Sequence, residues 1–343
     1  MNKTSRKEKT LYARVREDLR TKIASGKLAE DGQIPTERDL CRTYDVSTIT
    51  VRQAVGDLVR DGILTRIPGK GTFVNEGKHE KRIAIGLVIG DENSGTDAYF
   101  FSNVVRGVKK VIAGGSATCL IFNENETGYC SDETVQGVIL KNPRTNDIRI
   151  SLLRERGIPF VVIGNPDDDT VVFADNDNVA VGESMAAYCI ERGAKNIAMA
   201  NGPNHLTVSM DRERGVRKGL ERAGINGAFD VSYSNFTVDE GKQHALRLLR
   251  NKPDAIIACD DHLGVGAIAA IRESCLRVPD DIAVICCNNA PTTICTSPSL
   301  TAVDIFPETL GMNAAQLLMD IIAGKTVKSV RVAGSIIARE STR

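Results

Sequence analysis

Tryptophan is absent from this sequence of 343 residues, and aromatic residues of all kinds make up only 4% of it. No apolar run approaches the ~18–20 residues that a membrane-spanning helix requires. The basic N-terminal decapeptide is followed by LYARVREDLR, which is rich in charged residues and so cannot be the apolar core of a secretion signal. We expect a cytoplasmic, globular protein with no membrane-embedded part, in keeping with 42% hydrophobic and 26% charged residues.

Patterns of metal sites and disulfides are missing as well. The nine cysteines include no Cys-x-x-Cys pair, and several lie inside apolar runs such as ATCLIF and VICC. In a reducing compartment such cysteines are most simply small buried side chains. The four histidines form no ligand pattern either. We therefore expect no metal and no cofactor.

Motifs of the common α/β enzymes are also lacking. The loop after the first long apolar run reads GDENSG, which is neither a dinucleotide-binding Gly-x-Gly-x-x-Gly turn nor a phosphate-binding loop. No Gly-x-Ser-x-Gly nucleophile elbow occurs. An α/β enzyme is therefore the weaker alternative, and the sequence favours a binding protein.

The net charge of zero hides an asymmetry along the chain. Residues 1–82 contain 18 Lys and Arg against 12 Asp and Glu, which leaves 26 against 32 in the remainder. A small basic region ahead of a large acidic one is typical of a nucleic-acid reader joined to a sensor. The chain is also too long for one ordinary core and predicts two or three domains.

Residues 35–74, PTERDLCRTYDVSTITVRQAVGDLVRDGILTRIPGKGTFV, predict two helices followed by a two-stranded wing. Residues 37–44 form a short helix behind a Pro-Thr start signal. Ser47 is a good N-cap for a second helix over 48–60, whose apolar residues recur at the spacing of one buried face. Pro68-Gly69-Lys70-Gly71 then turns the chain between two short strands.

The start of the second helix carries exposed polar side chains. A helix fits the major groove of DNA, and its N-terminal residues reach base edges, where Arg can hold guanine and Gln can hold adenine. A wing tip of Gly and Lys can approach phosphates or the minor groove closely. We expect DNA contacts by Ser47, Thr48, Thr50, Arg52, Gln53, Gly69 and Lys70.

This region resembles the GntR-type winged helix-turn-helix over roughly residues 8–75. The matching residues are Pro35-Thr36-Glu37-Arg38, Val46-Ser47, Thr50-Val51-Arg52-Gln53-Ala54, Asp61-Gly62 and Gly69-Lys70-Gly71-Thr72. The resemblance implies that operator DNA is faced by Arg38, Thr48, Thr50, Arg52 and Gly69. Many family members have Arg where this chain has Thr48, so the operator sequence is not implied.

From residue 82 onward, apolar runs alternate with helical segments. Runs such as IAIGLVIG (83–90), VQGVIL (135–140) and DAIIACD (254–260) are typical of strands buried on both faces. Their alternation with helices predicts parallel βαβ units in two series, 82–173 and 174–290. We expect a winged helix-turn-helix domain (1–74), a charged linker (75–82) and a two-lobed α/β domain (83–343) with a ligand cleft between the lobes.

The larger domain resembles the LacI/GalR-type effector-binding domain, a relative of periplasmic sugar-binding proteins. The matching blocks include DRERGVRKGLERAGI, PDAIIACDDHLGVGAIAAIRE, VPDDIAVICCNNA and PSLTAVDIFPETLGMNAAQLL. The resemblance implies three crossings of the chain between the lobes. It places 83–173 and 298–325 in lobe 1, and 174–290 and 328–343 in lobe 2.

Polar residues at predicted strand and helix ends are candidates for ligand binding. Arg212 is expected at the start of a helix over 211–223, where a guanidinium can bridge two hydroxyls or a carboxylate. Asp260 and Asn288 follow apolar strands, at the edge where open α/β sheets bind ligands. The family more often has Asn and Asp in the opposite order, which leaves the identity of the ligand open.

Aromatic residues near the predicted cleft are a second set of candidates. Tyr99, Phe100 and Phe101 open the first helix of lobe 1, and Phe236 precedes a helix of lobe 2. Aromatic faces suit the C–H face of a sugar or the plane of a base, although at least one of the first three belongs to the core. Asn165, which also follows a strand, is a weaker candidate.

One segment departs from the resemblance. Between two predicted strands of lobe 1, only residues 123–134 are available, where the family has a full helix. Either that helix is missing or a sheet edge is exposed there.

Together these features predict a ligand-responsive transcriptional regulator. We expect a homodimeric repressor that binds double-stranded operator DNA and responds to a small molecule, a sugar being the commonest effector of the family. An activator of the same architecture remains the alternative to a repressor.

Overall fold

The computed structural model describes residues 11–24, 32–75, 83–89, 98–113, 117–123, 126, 128–130, 134–225, 227 and 229–342. The chain divides into two compact units, Met1–Arg82 and Ile83–Arg343. Residues 76–82 of the expected linker lie outside the described residues. None of the helices in the described ranges is both long and apolar enough to span a membrane.

Three helices and a two-stranded wing make up the described part of the first unit. Their bounds are α1 (Leu11–Ala24), α2 (Glu37–Tyr44), α3 (Thr48–Arg60), β1 (Leu64–Ile67) and β2 (Gly71–Val74). Ser47 caps α3, since its Oγ accepts a hydrogen bond from Thr50 N at 3.3 Å. The expected helices and wing are therefore present, with α2 and α3 at the expected bounds.

A single apolar cluster joins the elements of this unit. Its fully buried members include Leu19 from α1, Leu40 from α2, Leu58 from α3 and Leu64 from β1. Burying side chains of this size contributes roughly 1.5–3 kcal/mol each, more than the capping bonds do. The core therefore fixes which side of α3 remains at the surface.

The wing is an antiparallel pair in which Ile67 lies opposite Gly71. Gly69 has a φ of +73°, a left-handed conformation that glycine adopts without strain, and it forms the tip. Asn75 Nδ2 donates to Gly62 O at 2.8 Å, so Asn75 packs with the winged unit, although the sequence predicts a linker from this residue onward.

Two six-stranded sheets organise the second unit. The first sheet has the spatial order β13 (Val330–Val332), β7 (Phe173–Asn176), β6 (Phe160–Ile163), β5 (Val135–Lys141), β3 (Ile83–Ile89) and β4 (Ala117–Asn123). The second has the order β14 (Ser335–Ile337), β12 (Thr301–Asp304), β11 (Ala283–Cys287), β10 (Ala255–Ala258), β8 (Ile197–Asn201) and β9 (Asp230–Tyr233). All neighbours are parallel except β12 and β14.

Helices cover the sheets of both lobes. Their bounds are α4 (Ala98–Ile112), α5 (Ile148–Glu155), α6 (Asn178–Glu191), α7 (Thr207–Arg222), α8 (Val238–Leu248), α9 (Asp261–Glu273), α10 (Thr292–Cys295) and α11 (Pro307–Ile322). Helix pairs α4–α11 and α6–α7 pack closely. In the second pair Gly215 lies against Val179 O, where a side chain would collide with the neighbouring backbone.

The chain crosses between the lobes three times, as expected, but at other positions. Strand β12 belongs to the second sheet, although 298–325 was expected in lobe 1. Strand β13 pairs with β7 in the first sheet, although 328–343 was expected in lobe 2, and β7 itself runs past residue 173. The crossings follow β7, β12 and β13. These strands have only three or four residues, too few for a pattern in the sequence to assign them to a sheet.

One further expectation needs correction. Helix α7 begins at Thr207 and not at residue 211; its N-cap residue is Leu206, which forms no side-chain cap, so the sequence has no capping signal at the true start. In the short segment 123–134, the described residues include a 3-10 turn, Gly128–Cys130. Its Tyr129 is 1% exposed, and the ring contacts Phe122 edge-on at a centroid distance of 5.7 Å. Tyr129 thus covers part of the sheet face next to edge strand β4.

Candidate functional site

The expected DNA-contacting residues of α3 lie at its exposed N-terminal end. Thr48, Arg52 and Gln53 are exposed, while the Thr50 hydroxyl lies 2.9 Å from Ser47 Oγ. Four residues of the same helix, Val51, Ala54, Val55 and Leu58, are buried in the core. The helix therefore presents polar side chains of its first two turns on the side opposite its packed face.

Glu37 connects three elements of this unit through ion pairs. Its Oε2 accepts from Arg52 Nε at 2.7 Å, and its Oε1 accepts from an Arg66 terminal nitrogen at 2.8 Å. The carboxylate raises the pKa of Arg52. One residue of α2 thus orients an arginine of α3 and an arginine of β1, a role that the sequence did not suggest.

The remaining expected DNA contacts also lie at the surface of the unit. Arg38, Gly69 and Lys70 are exposed. The backbone of Lys70 is fixed, because its carbonyl accepts a hydrogen bond from Gln33 Nε2 at 3.0 Å. The wing tip is therefore an exposed cation on a well-held turn.

In the second unit, a cavity of about 200 Å³ lies in the cleft between the two lobes. Five of the eight expected effector-binding residues line it: Phe100, Arg212, Phe236, Asp260 and Asn288. The cavity also has polar lining residues that sequence analysis missed: Lys141, Arg144, Asp175, Asn176, Asn178 and His205. Both lobes and the first crossing therefore contribute to one site.

Arg212 lies in the second turn of α7 and is only 4% exposed. Its Nε donates to Asn178 Oδ1 at 3.0 Å, and a terminal nitrogen donates to Cys259 O. Arg212 is therefore fixed by buried partners, whereas Arg214, one half-turn away, is exposed and pairs with Asp211 at the surface. A guanidinium held in this way can present its remaining donors to a ligand without a large loss of side-chain entropy.

Asp175 contributes a buried carboxyl group to the cavity wall. Burial raises the pKa of Asp175 to about 7, although hydrogen bonds from Asn176 and Asn178 and the charge of Arg212 act in the opposite direction. Both carboxylate oxygens lie 3.1 Å from Asn178 Nδ2. The group can therefore accept or donate a hydrogen bond near neutral pH.

Asn176 ties the three crossings together at the base of the cavity. The residue itself ends β7, and its Nδ2 donates to Ile305 O at 3.1 Å and to Val332 O at 2.9 Å. Ile305 follows β12 and Val332 ends β13, so each partner lies on a different crossing. One side chain that lines the cavity thus contacts all three connections between the lobes.

Two aromatic rings from opposite lobes face the cavity. The Lys141 ammonium group lies 4.8 Å from the centroid of the Phe100 ring, within the range of a cation–π contact. Phe236 packs on Gly202, where any side chain would collide with the ring. These contacts hold the rings at positions where they can cover the apolar face of a ligand.

Asp260 and Asn288 lie at the carboxyl ends of the neighbouring strands β10 and β11. Asp260 Oδ1 caps α9 by accepting from Leu263 N at 2.8 Å. Asn288 has a φ of +83° and is 7% exposed. Their position at this edge agrees with the general location of ligand sites in open α/β sheets.

Three expected effector contacts lie elsewhere. Tyr99 and Phe101 do not line the cavity; they flank Phe100 on α4, so the helix turns them in other directions, and Phe101 packs on the core of lobe 1. Asn165 Nδ2 donates to Asp211 Oδ2 at 2.9 Å, which joins the lobes outside the cavity. Polar loop residues at strand ends commonly serve such structural contacts.

Further contacts close one rim of the cleft. Thr207 N and Thr207 Oγ1 both donate to Pro143 O at 3.3 Å, and Arg144 forms a β-bridge with Leu206. In the described ranges, no cluster of three or more His, Cys, Asp or Glu residues is suited to a metal ion. The cleft is thus built from hydrogen-bonding and aromatic groups.

Comparisons with known proteins agree with both units. Residues 11–74 match the family described as bacterial regulatory proteins of the gntR family, and residues 186–342 match the periplasmic binding protein-like domain. The transcriptional regulator CelR of Thermobifida fusca is 32% identical over 266 residues, 72% of this chain and 77% of CelR. The arabinose metabolism repressor of Geobacillus stearothermophilus is 25% identical over 97% of this chain and 96% of its own length.

Solved structures show the same architecture. A complex of the transcriptional regulator CelR with cellobiose has a TM-score of 0.70 at 25% identity and covers 97% of this chain and all of that chain. A putative LacI regulator from Bacillus cereus subsp. cytotoxis has a TM-score of 0.72 at 28% identity, over 76% of this chain and 98% of that chain.

The fold and the two sites define a ligand-responsive transcriptional regulator, not an enzyme. The chain belongs to the family of regulators that join a GntR-type helix-turn-helix domain to a LacI-like periplasmic-binding-protein domain. The expected class, fold and function are thereby confirmed.

Proposed function

We propose that this protein is a transcriptional repressor that binds a two-fold operator as a homodimer and is controlled by a sugar of one ring. The observation that carries the proposal is the cavity between the lobes, because it touches both lobes and the residue that ties their crossings together. A ligand there contacts groups whose relative positions depend on lobe arrangement, as effector control requires.

The size and chemistry of the cavity support a small polyhydroxylated ligand. A cavity of about 200 Å³ is smaller than the ~300–1,000 Å³ of pockets that hold drug-sized ligands. Arg212, Asp175 and Asn288 offer donors and acceptors for hydroxyl groups, and Phe100 and Phe236 offer aromatic faces for C–H groups. The relatives include a regulator solved with a disaccharide and repressors named for arabinose metabolism.

The DNA-binding role rests on the exposed start of α3 and the wing tip. We propose that Arg38, Ser47, Thr48, Thr50, Arg52, Gln53, Gly69 and Lys70 contact operator DNA. In a dimer, two such helices reach half-sites about one helical turn (~34 Å) apart. Repression would then take place in the cytoplasm, where the operator is accessible.

The test combines ligand screening with DNA binding. Monosaccharides, disaccharides and sugar phosphates are screened by thermal shift, where a ligand at ~100 times its Kd stabilises the protein by about 2.7 kcal/mol. Hits are then added to the protein on operator DNA selected from random duplexes, and affinity is followed by fluorescence anisotropy. A monosaccharide that stabilises the protein and changes operator affinity supports the proposal.

A variant pair locates the ligand. Arg212→Lys should abolish the thermal shift, whereas Arg214→Lys, which changes an exposed arginine of the same helix, should keep it. A shift caused only by disaccharides, or an equal shift in both variants, would contradict the proposed ligand site.

A further inference from the structure

Ile49, the second residue of α3, is 79% exposed. Val51, Val55 and Leu58 of the same helix are at most 1% exposed, and Val59 is half-buried against the same core. Exposing a β-branched apolar side chain at a helix N-terminus contributes nothing to the core and lacks the helix preference of alanine. The packing of the winged unit therefore gives no reason for isoleucine at this position.

Helix geometry puts Ile49 on the face that carries the expected base contacts. Residues three, four and seven positions further on share its face, and these are Arg52, Gln53 and Gly56. Arg52 and Gln53 are exposed. A Cβ atom added to Gly56 would meet no atom within 4 Å, so packing within the unit does not require glycine there. This face of α3 therefore carries an apolar side chain at Ile49, two polar side chains and, at Gly56, backbone without a side chain.

The DNA major groove contains one apolar group that matches such a tip. Every base edge in the groove presents hydrogen-bond donors or acceptors, and thymine alone adds a 5-methyl group. N-terminal residues of a recognition helix are the ones that reach base edges. Arg52 and Gln53 can satisfy donors and acceptors, whereas Ile49 can only exclude water from another apolar surface.

We propose that Ile49 reads thymine in the operator by packing on its 5-methyl group. The proposal rests on the proposed DNA-binding function and adds a base preference to it. At this position the chain would discriminate thymine from cytosine, and thymine from uracil, through one buried methyl contact. Because the contact is apolar, it adds specificity that does not depend on the salt-sensitive phosphate contacts.

The experiment compares two forms of the same selected operator with the full-length protein. One duplex contains thymidine and the other contains deoxyuridine at every thymidine position, which removes only the methyl groups. The wild-type protein should bind the deoxyuridine duplex at least about threefold more weakly, since burying one methyl-sized group contributes ~0.8 kcal/mol. Ile49→Ala should bind the thymidine duplex more weakly and show little difference between the two forms.

The variant comparison separates Ile49 from general effects of uracil on DNA shape. Leu11→Ala removes another exposed apolar residue of the same unit, 59% exposed on α1, and should keep the wild-type ratio. Equal wild-type binding to both duplexes would overturn the proposal. So would a ratio in Ile49→Ala as large as that of the wild type, because another residue would then read the methyl groups.

Two other results have distinct meanings. A lower sedimentation mass for Ile49→Ala, with equal losses on operator and random DNA, would assign Ile49 to a contact between copies of the chain and overturn the base contact. If the wild type binds no duplex DNA in dilute salt, the proposed function fails together with this inference. If it prefers operator over random DNA but ignores the methyl groups, only this inference fails.

Discussion

Arg52 of the recognition helix α3 and Glu37 of α2 are joined by a hydrogen bond of 2.7 Å between Nε and Oε2. The bond uses the inner nitrogen of the guanidinium group, which leaves the two terminal nitrogens as the donors suited to a guanine edge. Because the same carboxylate also holds Arg66, the direction of Arg52 is set before DNA arrives. Such pre-orientation lowers the entropy lost on binding.

We therefore predict that Arg52→Ala lowers the discrimination between operator and random DNA by at least ~1 kcal/mol. Anisotropy titrations on both duplexes at one salt concentration measure this difference. Lys70→Ala is the matched variant, because a phosphate contact at the wing should weaken binding to both duplexes about equally and reduce the salt slope by about one. Equal losses in Arg52→Ala would exclude its base contact.

A second prediction concerns Gly56, whose position has room for a side chain. Gly56→Ala should stabilise the free protein, since glycine inside a helix costs about 0.5–1 kcal/mol relative to alanine. The same change should weaken operator binding if this face of α3 lies against DNA. Thermal denaturation and anisotropy on one sample measure both effects. Stabilisation without any loss of DNA affinity would place Gly56 away from the groove.

The buried carboxyl group of Asp175 predicts a pH dependence. Its pKa is raised to about 7 in the folded protein, so protonation favours the folded state over the unfolded one. The resulting stabilisation is complete below pH ~4 and is lost as the pH rises through 7. The side chain of the Asp175→Asn variant cannot ionise. The difference between its thermal midpoint and that of the wild type (variant minus wild type) should therefore increase between pH 5 and pH 8. A variant midpoint that falls relative to that of the wild type as the pH rises would contradict the assignment.

A fourth prediction concerns the amide of Asn176. Asn176→Ala leaves the buried carbonyl groups of Ile305 and Val332 without this donor. Each lost partner of a buried polar group costs ~1–3 kcal/mol, so the second unit should be clearly destabilised. Asn176→Asp removes the donor while keeping the shape, and it should be at least as harmful. Chemical denaturation of the wild type and the two variants measures their free energies of unfolding. If Asn176 had only a surface role, the three values would be nearly equal.

Much of the architecture was accessible from local patterns in the sequence. The cap at Ser47, the buried stripe of α3 and the alternation of apolar runs with helices each depend on neighbouring residues, and all appear in the structure. The lobe boundaries did not follow in the same way. Strands β12 and β13 have four and three residues, and only tertiary pairing decides which sheet they join.

The sequence predicts only part of the cavity lining, because it shows which residues follow a strand but not which strand ends lie next to each other. Arg212, Asp260 and Asn288 are recognisable in the sequence as polar residues at element ends. Lys141 and Asn176 also end strands, and Asp175 precedes Asn176, but nothing in the sequence distinguishes them from other polar residues. Which strand end faces the cleft depends on the spatial order of the strands, which one sequence does not contain. Ile49 was missed because an apolar residue in a helix suggests burial, and its exposure is visible only once the core is known.

The single amide that reaches two carbonyl groups from a third segment has a mechanical consequence. Three separate connections between the lobes could move independently, and a displacement of one would then not be transmitted to the other two. Because Asn176 joins them by hydrogen bonds, we expect the three connections to move together. A ligand that displaced Asn176 from the cavity wall would therefore act on all three connections between the lobes at once.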